Sequence, residues 1–594
     1  MRWLLALAVL APAEFALSAA PTCKIEQFAQ LPVTMSGTRP LVAAKINGTD
    51  VVFVADSGAF YSMLTPATAN DLKLPLGPAP TWLQVVGANG SVDIHLTTVK
   101  ELTLAKVPIR RVDFLVGGSE VGDGAVGLLG QNVWRLADVE YDLAHGVIRL
   151  IRTKDCRGVA LNYWDQKGGY SELDIQFTTA AEPHTVGVAY LNGSKLRVVF
   201  DSGAATSVVS RKAAEKAGVD LKAPGVVDGG MHGGLGRKVY PTWIVPVESF
   251  KVGEEEIRNT RLRVAELVLF NGDMLLGADF FLSHRIYVSN EYHKVYFTYN
   301  GGPVFNLATG HSYDVVPTAT ADSAAGGASA DSGQANPTPT DAEGFSRRGA
   351  AFMARQEFDR AIADLTQATT MAPDQASYQY ELGMAYYANR QPLPALSSLD
   401  AAIRLAPGEA RYVESRADVR LYGGDRAGAH ADADIADALV PRDSDLRRNL
   451  SHVYLSVGDY EQAVHQLDLW LSTHSQDAGM AAALNQRCWA RALWNRDLQL
   501  ALGDCNDAAK RSPKSAAILD SRGLVKLRLG DYAGAIADFD AALVLSPKLA
   551  WSLYGRGVAK QRLGRGEEGK ADVSSALAVD RDIVRTASKV GVLP

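Results

Sequence analysis

The stretches VVFVADSGA at 51–59 and LRVVFDSGA at 196–204 decide how the first half of this 594-residue chain folds. Each is an apolar, β-branched run that ends in Asp-Ser-Gly, the pattern of a strand that delivers an aspartate to the mouth of a loop. The two belong to a longer echo. Ile46-Asn47-Gly48 and Leu191-Asn192-Gly193 stand 145 positions apart, and Val54 with Val199, Asp56 with Asp201, Ser57 with Ser202, Gly58 with Gly203, Ala59 with Ala204 and Ser62 with Ser207 keep that offset without a gap. One β lobe is written twice, over residues 21–160 and 161–300, in a region of short Val-, Ile-, Leu-, Phe- and Tyr-rich runs punctuated by Gly, Pro, Asn and Asp.

A second element follows in each lobe. Gly-Leu-Leu-Gly occupies 127–130 and Leu-Leu-Gly-Ala 275–278, so the final glycine stands 74 residues beyond Asp56 and 76 beyond Asp201. The tripeptide alone says little, since Asp331-Ser332-Gly333 occurs with no strand before it. The two elements together, in duplicate, resemble the retropepsin and pepsin family of aspartic proteases, over residues 30–300. The resemblance implies that Asp56 and Asp201 form a catalytic pair across the seam of the lobes, sharing one proton because two carboxylates a few Å apart cannot both ionise. One would then act as base on a bound water and the other as acid toward the substrate carbonyl. Ser57 and Ser202 stand where many members have Thr and keep the hydroxyl that braces the loop. Gly58 and Gly203 are expected to let the backbone bend tightly and another segment approach. Gly87-Ala88-Asn89-Gly90 and the glycine-rich 229–236 fall where the family places a hairpin over its substrate, and plain hairpin turns fit them equally. Asp123 and His232 read as solvated loop residues.

Residues 301–341 change character, with Ala, Ser, Thr, Gly and Pro and almost no large apolar side chain; such a stretch predicts a flexible tether between two independent halves. Beyond it Pro373, Pro407 and Pro441 recur every 34 residues. That period, with small residues at Gly349, Gly383, Gly523 and Gly557 on first helices and at Ala361, Ala395, Ala429, Ala463 and Ala535 on second helices, predicts about seven tetratricopeptide repeats over 342–594. The interval from Ser475 to Pro513 is a few residues longer than the period, and Asp582 to Lys589 reads as a capping helix. Such an array presents a groove for a peptide or protein partner. Tyr386, Tyr387, Trp489 and Trp494 either line that groove or pack between helices.

Net charge is −6 and no basic run stands out, so neither nucleic acid nor an anionic membrane is indicated as a partner. Arg2, the apolar run to Leu10 and the small residues Ser18 to Ala20 form a signal-peptide pattern over 1–20, with cleavage near Ala20 favoured over lipid attachment at Cys23. No later segment is apolar and long enough to span a membrane. The expected location is the periplasm or the exterior. Cys23 and Cys156 bracket the first lobe, Cys488 and Cys505 fall on neighbouring helices, and both disulfides and buried thiols fit them. No His-Glu-x-x-His spacing occurs and the cysteines are widely separated, so neither a metal nor a cofactor is expected. The reading is an exported aspartic endopeptidase with a polypeptide substrate; its rival is a non-catalytic, peptide-binding adaptor on a protease-like scaffold. Pairing of lobes within one chain is favoured over pairing between chains by the high local concentration that linkage provides.

Overall fold

The computed structural model describes residues 23–79, 85–87, 90–92, 94–118, 124–165, 169–176, 183–232, 240–269, 272–305, 339–474, 477 and 479–593. The expected signal peptide, Ala88 and Asn89, Asp123 and most of the expected tether lie outside these residues.

Strict alternation builds the first strand, Lys24–Ser36, beyond an irregularity at Gln27 to Ala29: Ala29, Leu31, Val33 and Met35 are buried while Gln30, Pro32 and Thr34 face outward. It pairs antiparallel with Val147–Lys154 on one side and, further along, with Arg39–Ile46 on the other. In this way it joins the first lobe to a bridging sheet that also takes Asp138–Asp142, His284–Ser289, Lys294–Tyr299 and Ser171–Asp174. The remaining strands of the second lobe form a seven-stranded sheet of their own.

The same irregular pairing recurs in both lobes. Thr49–Ala55 runs parallel to Gly127–Leu129, with Ala55 opposite Leu129; Ser194–Phe200 runs parallel to Met274–Leu276, with Phe200 opposite Leu276. Met63–Leu64 and Val208–Ser210 complete each motif, antiparallel to the Leu-Leu strand and parallel to Val107–Gly117 and Glu255–Ala265 respectively. The repeated spacing of the sequence thus becomes a repeated register, and it brings both Asp-Ser-Gly loops to one seam.

The helical half, from Ala342–Ala354 to Ile583–Lys589, forms seven antiparallel helix pairs and a last short helix among the described residues. Close approach explains its small residues: a Cβ on Gly349 would meet Leu365, one on Gly383 would meet Leu399, and one on Gly523 would meet Phe539. Buried aspartates of the second helices are held by basic side chains of the first. Arg348 holds Asp364, Arg416 and Arg420 hold Asp432, Arg487 and Arg491 hold Asp504, Arg522 and Lys526 hold Asp538, and Arg556 and Lys560 hold Asp572. Trp489 packs edge-on against Trp551, Tyr387 against Tyr422, and Tyr386 and Trp494 are half-buried against apolar clusters, so packing accounts for most of the aromatic residues singled out from sequence.

Both cysteine pairs are disulfides, Cys23–Cys156 closing the first lobe and Cys488–Cys505 joining two helices. The expectation of independent halves is corrected. Ala350, Ala351 and Ala354 of the first helix are buried in the same apolar core as the β lobes, and Arg355 donates to the carbonyls of Leu282 and Gly301, both at 3.3 Å. Phe305, read as tether, is buried edge-on against Phe250. The helix can dock because its alanines present a flat strip that admits close contact, which composition alone does not distinguish from contact with other helices.

Candidate active site

The two loops are seated alike. The Asp56 N–H donates to the Leu129 carbonyl at 3.0 Å and the Asp201 N–H to that of Leu276 at 2.9 Å, so each aspartate is fixed by the Leu-Leu strand behind it. Asp56 Oδ1 accepts from the N–H groups of Gly58 and Ala59 at 2.9 and 2.8 Å; Asp201 Oδ1 accepts from Gly203 and Ala204 at 3.1 and 2.9 Å. These bonds hold one oxygen of each carboxyl to its own loop. Both residues are half-buried, and the charge of Asp56 acts on Asp201 across the seam.

The serines cross the seam. Ser57 Oγ donates to the Phe200 carbonyl at 2.8 Å and accepts from the Ser202 N–H at 2.9 Å. Ser202 Oγ donates to the Ala55 carbonyl at 2.7 Å and accepts from the Ser57 N–H at 3.0 Å. Each hydroxyl therefore braces the opposite loop, and the lobes are locked at the position where the aspartates meet. Fully satisfied buried networks of this kind rigidify what they join.

Gly58 and Gly203 sit where their loops bend and serve that meeting by close approach. Neither has a positive φ, so no tight left-handed bend requires glycine there. A Cβ on Gly58 would fall into the Asp201 carboxyl group, and one on Gly203 into that of Asp56, well under the 3.0 Å that real Cβ contacts respect. The glycines clear space for the opposing carboxylate, the close approach of another segment that the sequence led us to expect.

A second ring of contacts escaped the sequence reading. Ser62 Oγ accepts from the Gly130 N–H at 2.9 Å, while its own N–H and hydroxyl both donate to Asn132 Oδ1 at 2.7 Å. Ser207 Oγ accepts from the Gly277 N–H at 2.9 Å, and its N–H and hydroxyl donate to Asp279 Oδ1 at 2.8 and 2.7 Å. Gln131 Nε2 donates to the Ser57 carbonyl at 2.6 Å, an arm with no counterpart at Ala278. The signal for the serines was present in their matching offset; Asn132 and Asp279 are chemically unlike and so broke the echo. Arg263, 2% exposed, donates to the Gly229 carbonyl at 3.0 Å and Thr242 Oγ1 at 3.1 Å. Burial lowers its pKa, an effect opposed by the nearby Asp279 carboxylate. It thereby anchors the base of the second glycine-rich hairpin, whose described strand, Val227–His232, pairs with Tyr240–Val252. In the first lobe Val85–Gly87 pairs with Gly90–Val92.

The electrostatics follow from the geometry. Burial raises the pKa of Asp56, against the lowering effect of its backbone N–H donors. Burial and then the charge of Asp56 raise Asp201 well above the ordinary carboxylate value. The pair therefore titrates as a unit that keeps one proton where isolated aspartates would have lost both. Such a pair can accept a proton with one carboxylate and donate with the other. Among the described residues no group of three or more His, Cys, Asp or Glu side chains could hold a metal ion.

Residues 42–133 and 188–280 each match the family model described as aspartyl protease, one match per lobe. Residues 347–410 and 489–550 match that of the tetratricopeptide repeat. No curated protein matches the chain. Among solved structures, the Cut9–Hcn1 hetero-tetramer of the APC/C is 18% identical over 37% of this chain and 43% of that one, with a TM-score of 0.31, so this chain spans less than half of that relative's length. A tetratricopeptide repeat protein from Parabacteroides merdae is 16% identical over 42% of this chain and 98% of that one, with a TM-score of 0.34. PilW, a type IV pilus biogenesis factor, is 15% identical over 34% and 92%, with a TM-score of 0.30.

Proposed function

We propose that this chain, whose two β lobes match the aspartyl protease family and whose helical half is a tetratricopeptide array, is an exported endopeptidase that cleaves polypeptides with Asp56 and Asp201. The observation that carries the reading is the symmetric crossing of Ser57 and Ser202, which joins the loops so that each half-buried carboxyl lies against the glycine of the opposite one. Turn bracing alone would not require a carboxylate from each lobe at the same point.

In the singly protonated pair, the ionised carboxylate takes a proton from a water lying between the two as its oxygen attacks the peptide carbonyl carbon. The protonated partner donates to the carbonyl oxygen, which becomes a hydroxyl of the tetrahedral gem-diol. Collapse of that intermediate breaks the C–N bond as the nitrogen takes the proton from the protonated carboxyl and a gem-diol hydroxyl gives its proton to the ionised one, so the pair returns to one shared proton. The backbone N–H donors of Gly58, Ala59, Gly203 and Ala204 keep the inner oxygens in place throughout, so little reorganisation accompanies the charge shift.

Export is supported by the signal-peptide pattern of the first twenty residues and by two disulfides, which persist in oxidising compartments. Among the described residues no helix is long and apolar enough to cross a membrane. The array is proposed to bind a polypeptide, substrate or partner, beside the protease body on which its first helix rests. The test is digestion of a peptide library across acid to neutral pH by the wild type and by the Asp56→Asn and Asp201→Asn forms. Cleavage by the wild type alone, blocked by a pepstatin-type inhibitor, is the expected result; an inert wild type that fails to bind the inhibitor overturns the reading.

A further inference from the structure

Two groups of buried acids in the helical half contrast, apart from Asp520, which among the described residues meets only the Ser552 hydroxyl. Those of the second helices, from Asp364 to Asp572, each meet an arginine or lysine. Those at the seam between the first helices of the second, third and fourth pairs do not. Glu381 and Asp418 are half-buried and Glu414 is 3% exposed, and among the described residues none of the three forms an ion pair.

The seam can be described from every side that packs on it. Glu414 and Asp418 stand one turn apart on Ala410–Tyr422, near enough for each charge to act on the other. Glu414 also faces Ser415 and Arg411 on its own helix and Asn449 on Leu446–Val457, yet its Oε1 is buried with no hydrogen-bond partner. Glu381, on Ala376–Ala388, accepts from Ser346 Oγ at 2.6 Å. Tyr380 stacks on Tyr412 with ring centroids 4.7 Å apart and shares a 3.3 Å hydrogen bond with Ser415, while Tyr387 meets the exposed Tyr422 edge-on. Desolvation pushes Glu381 up to about 7 and Asp418 to about 7, and desolvation with the Asp418 charge, outweighing the pull of Arg411, pushes Glu414 up to about 8. A buried carboxylate with an empty lone pair is costly, and the cost is removed when a cation with donors to spare occupies the seam. The tyrosine faces add attraction for the same charge.

We propose that this seam binds an extended peptide through a lysine or arginine side chain seated over Glu414 and Asp418 and flanked by Tyr380, Tyr412 and Glu381. Charge complementarity selects the occupant. The chain's own segment from 301 to 341 contains neither lysine nor arginine and so cannot supply the charge. The inference rests on the reading of the array as a polypeptide-binding module and names what it recognises.

The experiment uses the full-length Asp56→Asn chain, so that no probe is cleaved, and fluorescein-labelled peptides of one Gly/Ser/Tyr sequence carrying two lysines, two glutamines or two glutamates. Anisotropy is expected to rank lysine above glutamine above glutamate, with the lysine preference of about tenfold or more lost in Glu414→Gln and in Asp418→Asn. Equal binding of all three peptides, or an undiminished lysine preference in both variants, overturns the proposal while leaving the array a peptide binder. No binding of any peptide overturns both readings. Displacement of the lysine peptide by millimolar Mg²⁺ or Ca²⁺, with the preference confined to metal-free buffer, would assign the seam to a divalent cation instead and also overturn it.

Discussion

The two lobes agree at the seam and differ one layer behind it. Asp56, Ser57 and Gly58 are mirrored by Asp201, Ser202 and Gly203 in residue type, register and hydrogen bonds. Behind them a neutral Asn132 carries Ser62, whereas a charged Asp279 carries Ser207 within reach of the buried Arg263. Symmetry is kept where the two loops meet and brace each other. Where each lobe only has to support its own loop, an amide in one and a carboxylate in the other present an acceptor to the same two donors, the amide also donating to the Asp113 carbonyl at 3.0 Å.

The comparison can be broken first at the carboxyls. Asp56→Asn and Asp201→Asn are each expected to lower kcat/KM by about a thousandfold or more, since neither general base nor general acid can be spared; a large loss from one and not the other would show that the lobes do not act as a pair. Gly58→Ala and Gly203→Ala come next. Each drives a methyl into the opposing carboxyl and is expected to cost about 1–3 kcal/mol in stability, as overpacking does, with most of the activity; urea unfolding and steady-state kinetics check both, and unequal costs would mean the clearance matters on one side only.

Asp279→Asn sharpens the asymmetry. It keeps an acceptor for Ser207 but removes the charge near Arg263, and a loss of about 2 kcal/mol is expected, in the ordinary range for disturbing a buried charge. Asn132→Asp is expected to cost a similar amount because Leu115, rather than an arginine, precedes Val116 at the position corresponding to Arg263 before Val264. If thermal melts show both changes to be neutral, the second layer is passive. The smallest effect concerns pH. The folded state raises the pKa of both aspartates, so it binds protons more tightly than the unfolded chain; stability from the pair is complete below the ordinary carboxylate pKa and declines as pH rises through the raised value. Melting temperature measured from pH 4 to 8 should therefore fall less steeply in Asp201→Asn than in the wild type. On the same grounds kcat/KM should hold to a pH above that at which an isolated aspartate loses its proton.

The sequence showed the lobes because their strands and loops share one offset and their Leu-Leu-Gly segments follow at nearly equal distances, 74 and 76 residues beyond the aspartates, so that the repeated spacing becomes a repeated register. The crossing of Ser57 and Ser202 was not legible: a hydroxyl beside an aspartate looks the same whether it bonds its own loop or the opposite one. Asn132 and Asp279 were hidden by their chemical difference. Ala350, Ala351 and Ala354 gave no sign that they pack on the β body, since small residues at helical spacing serve any close contact. The acids Glu381, Glu414 and Asp418 were indistinguishable from Asp432 or Asp538 until the partners of each were known.

The most direct test is a crystal structure of the protein with a statine-containing peptide, whose hydroxyl mimics the tetrahedral intermediate. The account predicts that hydroxyl oxygen within hydrogen-bond distance of one carboxyl oxygen from Asp56 and one from Asp201. A peptide bound elsewhere, or a hydroxyl held by only one of the two, would contradict it.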